Sequence, residues 1–203
     1  MRKVIVAEHI SLDGVVQAPG GPEEDASGGF RFGGWVAPFD DPVVDAFLEE
    51  LFARPFDLLL GRGTYDIFAA YWPAIPAGHP VGDPFNQAIK HVATHRPESL
   101  AWPDSVALAG GLAESVRALK AESGPDLMTW GSPGLVRQLL AARLVDELWL
   151  LTYPVVLGAG KRLFGPEALP SALTLEHSAV GPTGAIATRH TWAGDVRTGS
   201  VVA

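Results

Sequence analysis

The stretch that most constrains this chain is residues 126–164, DLMTWGSPGLVRQLLAARLVDELWLLTYPVVLGAGKRLF. Residues 127–130 read as a buried strand that breaks at Gly131 into Ser132, Pro133 and Gly134. Leu135, Val136, Leu139, Leu140 and Leu144 then recur with helical spacing. Ser132 suits the N-cap, and Pro133 suits the first helical position, where an N–H has no partner to lose. Residues 148–156 are rich in branched and aromatic side chains, so a second strand follows the helix and lies parallel to the first. The turn at Gly131 therefore sits at the carboxyl edge of a sheet, where backbone N–H groups and the helix dipole attract anions. Gly-Ser-Pro-Gly is not the Gly-x-Gly-x-x-Gly fingerprint, however, and taken alone it also describes an ordinary helix start.

A second turn of the same kind gives the first one more weight. Residues 57–60 form a buried strand that opens into Gly61, Arg62, Gly63 and Thr64 before a short helix carrying Tyr65, Phe68 and Ala69. Two such turns in one sheet suit an elongated phosphate ligand. Elsewhere the pattern predicts strands at 4–7, 91–94 and 106–108, and helices at 84–89 and 112–122. A further helix is capped by Asp41, opened by Pro42, and faced with Val43, Val44, Phe47, Leu48 and Leu51. Residues 173–180 and 185–192 flank Gly181-Pro182-Thr183-Gly184 as a terminal antiparallel hairpin, and residues 158–162 read as a flexible basic turn. Strands alternate with helices throughout, which predicts a single α/β domain over residues 1–193, with 194–203 as a loose tail.

Composition narrows the function classes. The net charge of −8, with no basic run, argues against a nucleic-acid partner. Without cysteine there are no disulfides, catalytic thiolates or thiolate metal sites, and the six histidines lack ligand spacing, so no metal is expected. The first residues carry too short an apolar run for a signal peptide, and no segment is long enough to span a membrane. A cytoplasmic protein is expected.

Five motifs in order carry a family resemblance: Ser11-Leu12-Asp13-Gly14; Leu60-Gly61-Arg62, Thr64-Tyr65-Asp66 and Trp72-Pro73; Trp130-Gly131-Ser132 with Leu135; Leu144-Val145-Asp146-Glu147-Leu148; and residues 154–164. Together they resemble the dihydrofolate reductase-like family that includes the RibD C-terminal reductase domain. The resemblance implies a three-layer α/β fold with a mixed central sheet of about eight strands. It also implies NADPH across the carboxyl ends of the strands. On that footing Arg62, Gly63 and Thr64 would meet the cofactor's phosphates, Thr94, His95 and Arg96 its adenosine side, and Gly131, Ser132, Gly134 and Leu135 its pyrophosphate. Thr152 and Pro154 would flank the nicotinamide and substrate pocket, with Asp13 and Gly14 in the loop above it. Where true dihydrofolate reductases have a Gly-Gly pair, this chain has Gly131-Ser132, and only Asp45 stands where their pterin-binding carboxylate would be.

The expected activity is NADPH-dependent hydride transfer to a small heterocycle: pterin-like, a pyrimidine such as a riboflavin-pathway aminouracil, or a relative. The alternative is a non-catalytic nucleotide-binding or dimerising module of the same fold. Trp35, Tyr65 and Trp72 are the aromatic candidates for the substrate wall. Asp45 and Asp13 are the candidates for the proton donor that C=N reduction requires. Apolar strands at 148–156 and 173–192 suggest a homodimer.

Overall fold

The computed structural model describes residues 1–166 and 168–201. In chain order they form β1 (Val4–Ser11), α1 (Pro42–Phe52), β2 (Phe56–Gly61), α2 (Arg62–Tyr71), α3 (Gly82–Gln87), β3 (Lys90–Ala93) and β4 (Ser105–Ala107). Then follow α4 (Leu112–Ala121), β5 (Asp126–Trp130), α5 (Pro133–Ala141), β6 (Glu147–Tyr153), β7 (Ala172–Val180) and β8 (Ile186–Gly194). The eight strands make one sheet in the order β4-β3-β2-β5-β1-β6-β8-β7. The first six are parallel, and the β7–β8 hairpin adds antiparallel to β6.

Both faces of the central strands are covered, which is why β1, β2 and β5 read as near-continuous apolar runs. Side chains alternate across the sheet. Ile5 and Ala7 join Phe47, Leu51, Tyr65, Phe68 and Phe85 on the face of α1, α2 and α3. Val4 and Val6 join Val116, Leu135, Val136 and Leu139 on the face of α4 and α5.

One detail of register positions the site. β1 pairs with β5 only as far as Ala7 opposite Trp130, whereas its pairing with β6 continues to Ser11 opposite Tyr153. Beyond Ala7, β5 has turned away at Gly131, so Glu8 and His9 border a notch at the carboxyl edge. The expected strand stopped at Ala7 because Glu8 and His9 interrupt the apolar run, but the ladder with β6 carries it on. β6 stops earlier than expected, at Tyr153, because Pro154 has no N–H to donate. α5 also ends early, at Ala141; Arg143 takes a left-handed φ of 52° and returns Leu144 to the core.

Asp41 caps α1 as expected, accepting from the Val43 N–H at 2.9 Å. It also accepts from the Thr183 N–H and hydroxyl, so one carboxylate joins α1 to the β7–β8 turn. At the tail, β8 runs on to Gly194 and Asp195 pairs with Arg143 at 3.0 Å. No helix among the described residues is long and apolar enough to cross a membrane.

Candidate functional site

Three turns line up along the carboxyl edge, following the neighbouring strands β5, β2 and β3. They hold the ten expected cofactor residues: Gly131, Ser132, Gly134 and Leu135; Arg62, Gly63 and Thr64; Thr94, His95 and Arg96. Hydrogen bonds stitch the turns together. The Ser132 hydroxyl accepts from the Gly61 N–H at 2.9 Å, and the Thr64 hydroxyl accepts from the Ser132 N–H at 2.8 Å. Arg62 then reaches the third turn, donating through Nη1 to Thr94 Oγ1 at 3.2 Å, the Arg96 carbonyl at 3.2 Å and Ser99 Oγ at 2.7 Å.

These bonds correct the local reading of Ser132. It occupies the N-cap position but adopts a left-handed conformation, φ 56° and ψ 46°, and its side chain caps nothing in α5. Its hydroxyl serves the neighbouring turn instead. The close approach also explains Gly131, whose φ is 70° and where a Cβ would lie 3.0 Å from Thr64 Cγ2.

The stitching decides which donors remain for an anion. Ser132 N–H goes to Thr64, Leu135 N–H goes to the Ser132 carbonyl, and Pro133 has none. At α5 that leaves Gly134, beside which a Cβ would meet open space. The first turn of α2 offers the N–H groups of Arg62, Gly63 and Thr64, with open space at Gly63 as well. The Arg62 guanidinium stands at the same place, 2.7 Å from Asp66, and Arg96 lies 3.8 Å from Asp66. Two helix starts, two guanidiniums and room at two glycines fit a dinucleotide's phosphates. His95 is exposed.

The notch beside these turns holds groups that the sequence reading passed over. Glu8 is 2% exposed on the α5 face, and its Oε1 has no hydrogen-bond partner. Burial raises its pKa well above the ordinary carboxylate value; the Gly131 N–H works the other way and Glu24 adds to the rise. On the opposite face His9 is partly covered, with Nδ1 2.9 Å from the Tyr153 hydroxyl and its ring 5.2 Å from Trp130. Burial pushes the imidazole down to about 4, so it is neutral at neutral pH. Burial, with the Asp41 carboxylate next in size, pushes the Tyr153 phenol up. An apolar strand that keeps a Glu-His pair near its carboxyl end was the available signal.

The loop between β1 and α1 is pinned over the notch. Asp13 accepts from the Leu157 N–H at 3.0 Å and the Gly158 N–H at 2.9 Å, and it pairs with Arg162 at 3.1 Å. Lys161 pairs with Asp25 at 2.6 Å, and Gln17 accepts from the Lys161 N–H at 2.9 Å. Residues 158–162 are thus a clamp rather than a flexible turn.

That clamp bears on the expected proton donors. Burial acts upward on Asp13, but the bonds from Leu157, Ser11 and Gly158 outweigh it and hold the carboxyl at about 2. Asp13 is therefore ionised at neutral pH and anchors the loop, with no proton to give. Asp45 stands exposed on the first turn of α1.

The expected aromatic wall is dispersed. Tyr65 is 1% exposed, with its hydroxyl accepting from the Trp102 N–H at 2.9 Å, so it belongs to the core. Its place in the first turn of α2 suggested the cleft, but the α2 stripe turns it inward. Trp72 lies at the other end of α2 from Arg62, packed with Phe68, Tyr71, His79 and Phe85. Trp35 does reach the notch, edge-on to Tyr153 at 5.6 Å and bonded to the Gln17 carbonyl. Thr152, next to last in β6, lies opposite Ile10, and exposed Pro154 lies against the hairpin turn at Gly184.

Comparison with known proteins adds a second line of observation. The model of the RibD C-terminal domain matches residues 2–187. The chain belongs to the RibD C-terminal domain family. Among curated relatives, YyaP of Bacillus subtilis (strain 168) is 25% identical over 171 residues, 80% of each chain. YwjB of the same organism is 23% identical over 163 residues, covering 80% of this chain and 83% of its own. Both are described as uncharacterized. A putative riboflavin biosynthesis protein from Shewanella sp. PV-4 superposes with a TM-score of 0.63 at 19% identity, covering 94% of this chain and 98% of its own. A pyrimidine reductase-like protein from Corynebacterium diphtheriae gives 0.60 at 16% identity, covering 96% and 93%. At these identities the likeness is one of fold, and it extends to the mixed sheet and terminal hairpin of this RibD C-terminal domain.

Proposed function

We propose that this protein is an NADPH-dependent reductase that delivers hydride to a conjugated C=N or C=O bond of a planar heterocycle, a pyrimidine or pterin-like ring. The observation that carries the reading is the alignment of three stitched turns beside the notch in β1. The family and the pyrimidine reductase-like neighbour support the same class of reaction.

In this reading the first turn of α2 and the Arg62 and Arg96 guanidiniums hold the phosphates on the adenosine side, while Gly134 at α5 meets the pyrophosphate. When bound, the dihydronicotinamide supplies the hydride. The chain's own residues bind, orient and exclude water. The clamped loop covers the notch, Trp35 and Trp130 bound it with apolar surface, and Glu8 borders it with a carboxyl whose pKa burial raises. With Asp13 held ionised and Asp45 exposed, neither expected carboxylate supplies the proton, which leaves Glu8 or water to do so.

We also propose that the protein is a homodimer. β7 is one of the sheet's two edge strands and exposes Leu173, Leu175 and Val180. Light scattering should give twice the monomer's 21.5 kDa.

The functional test is to titrate the purified protein with NADPH and then follow reduced-nicotinamide absorbance while pterins, pyrimidines and quinones are added. Consumption with at least one heterocycle is expected. Tight NADPH binding without consumption across the panel would mark a binding module instead.

A further inference from the structure

The His9–Tyr153 pair has an unused polar edge, and its bonding determines what that edge offers. Tyr153 is 1% exposed, and among the described residues the only recorded partner of its hydroxyl is His9 Nδ1, at 2.9 Å. A buried phenol O–H needs an acceptor. Were Nδ1 protonated, the phenol proton would have none; the satisfied arrangement has Tyr153 donating to Nδ1. A neutral imidazole then carries its own proton on Nε2. Nε2 has no protein partner among the described residues, and the His9 ring is only partly covered.

The ring is also held in orientation. It lies 5.2 Å from Trp130 at 52° and 5.6 Å from Tyr153 at 42°. Tyr153 is in turn wedged between Trp35 at 5.6 Å and Phe39 at 5.3 Å. A fixed imidazole with an unpartnered Nε2 therefore stands beside the notch where β5 has left the side of β1, with aromatic surface around it.

We infer that His9 Nε2–H is a specificity-determining donor, selecting planar rings that present a hydrogen-bond acceptor such as a ring carbonyl oxygen and rejecting rings that present only donors. This rests on the reductase reading for the identity of the ring as substrate, and it narrows that substrate to acceptor-edged heterocycles. Burial keeps the imidazole neutral, so the donor persists through the physiological pH range.

The test needs no cofactor. Calorimetry would compare two planar bicyclic probes, 2-quinolone, which has a ring carbonyl, and indole, which is a donor only. The parent should bind 2-quinolone about tenfold more tightly, the scale of one neutral hydrogen bond. His9→Phe should erase that preference while keeping aromatic bulk. Tyr153→Phe, a milder change, should shrink it by freeing the tautomer. Nitrogen-15 spectra of labelled histidine should report the Nε2–H form in the parent.

An Nδ1–H tautomer, equal or absent binding of the two probes, or an unchanged preference in His9→Phe would each overturn the inference. Such a failure with NADPH consumption intact counts against His9 alone. Success here with no NADPH consumption counts against the reductase reading alone.

Discussion

The two edges of the sheet treat buried charged groups in different ways. At the amino edge Arg2 pairs with Asp57, which His91 also approaches at 3.3 Å, and Lys3 pairs with Glu147 at 2.6 Å. Lys90, 0% exposed, donates to the carbonyls of Asn86 at 2.7 Å and Pro103 at 3.1 Å. Each charge there has its partner. At the carboxyl edge Glu8 keeps an oxygen without a partner, His9 keeps a free nitrogen, and the α2 start keeps unfilled donors. An unmet buried polar atom costs stability; His190 Nδ1 and Trp192 Nε1, on β8 at the amino edge, are unmet as well, so the contrast lies in the charged groups, paired at the amino edge and left open at the carboxyl edge.

The largest effect should come from breaking the satisfied edge. Asp57→Ala leaves Arg2 buried without its carboxylate, and chemical denaturation should register a loss of about 3 to 5 kcal/mol. A loss below about 1 kcal/mol would mean that water already serves Arg2 and that the two edges differ less than drawn.

Arg62→Ala probes the open edge. Losing charge-assisted contacts of roughly 1.5 to 3 kcal/mol should weaken NADPH by about one to two orders of magnitude. NADH should be affected far less if, as proposed, the guanidinium meets the phosphate on the adenosine ribose. Equal losses would place Arg62 on the common pyrophosphate instead. Asp66, already paired with Arg62, competes with that phosphate, so Asp66→Asn should act in the opposite direction.

A smaller change sharpens the stitching between turns. Gly131→Ala puts a side chain at φ 70° and 3.0 Å from Thr64. The left-handed backbone alone costs about 1 to 2 kcal/mol, and stability should fall by at least that much. A Gly131→Asp variant is consequently not a clean test of anion binding, since it disturbs the fold as well.

The subtlest effect is one of pH. The raised pKa of Glu8 means that the folded protein keeps a proton that the unfolded chain releases above 4.5. Its contribution is complete below the unfolded value and is lost as pH rises through the folded one. Glu8→Gln should therefore flatten the alkaline decline of Tm, measured between about pH 5 and about pH 9. An unchanged slope would mean that Glu8 is ionised and partnered after all.

Much of this was legible in the sequence because local rules and tertiary packing agree. The strand-turn-helix units at Gly61 and Gly131 carry period and capping signals that need no partner, and so does Asp41 before Pro42. Their adjacency came from the parallel crossover and from the family resemblance. What could not be read was direction. Tyr65 and Trp35 are both aromatic and loop-proximal, yet one faces Trp102 and the other Tyr153, and only the assembled sheet separates them. Asp13 looked like a free carboxylate because its partners Leu157, Gly158 and Arg162 lie far along the chain. Glu8 and His9 looked like the end of a strand because the run of apolar residues stops there, while pairing to β6 does not.

The clamp over the notch has a consequence for how the chain matures. Asp13 meets Leu157 across 144 residues and Arg162 across 149. Loop closure over such a span is entropically slow and comes after local contacts have formed. During synthesis the segment above the notch lacks these fastenings until residues 155–162 have left the ribosome, although β1, which it follows, is made well before them. The cover of the site is therefore completed only after the three turns and β6. A chain arrested before residue 157 would carry all three turns along the carboxyl edge without the bonds that tie Asp13 and Gln17 to residues 157–162.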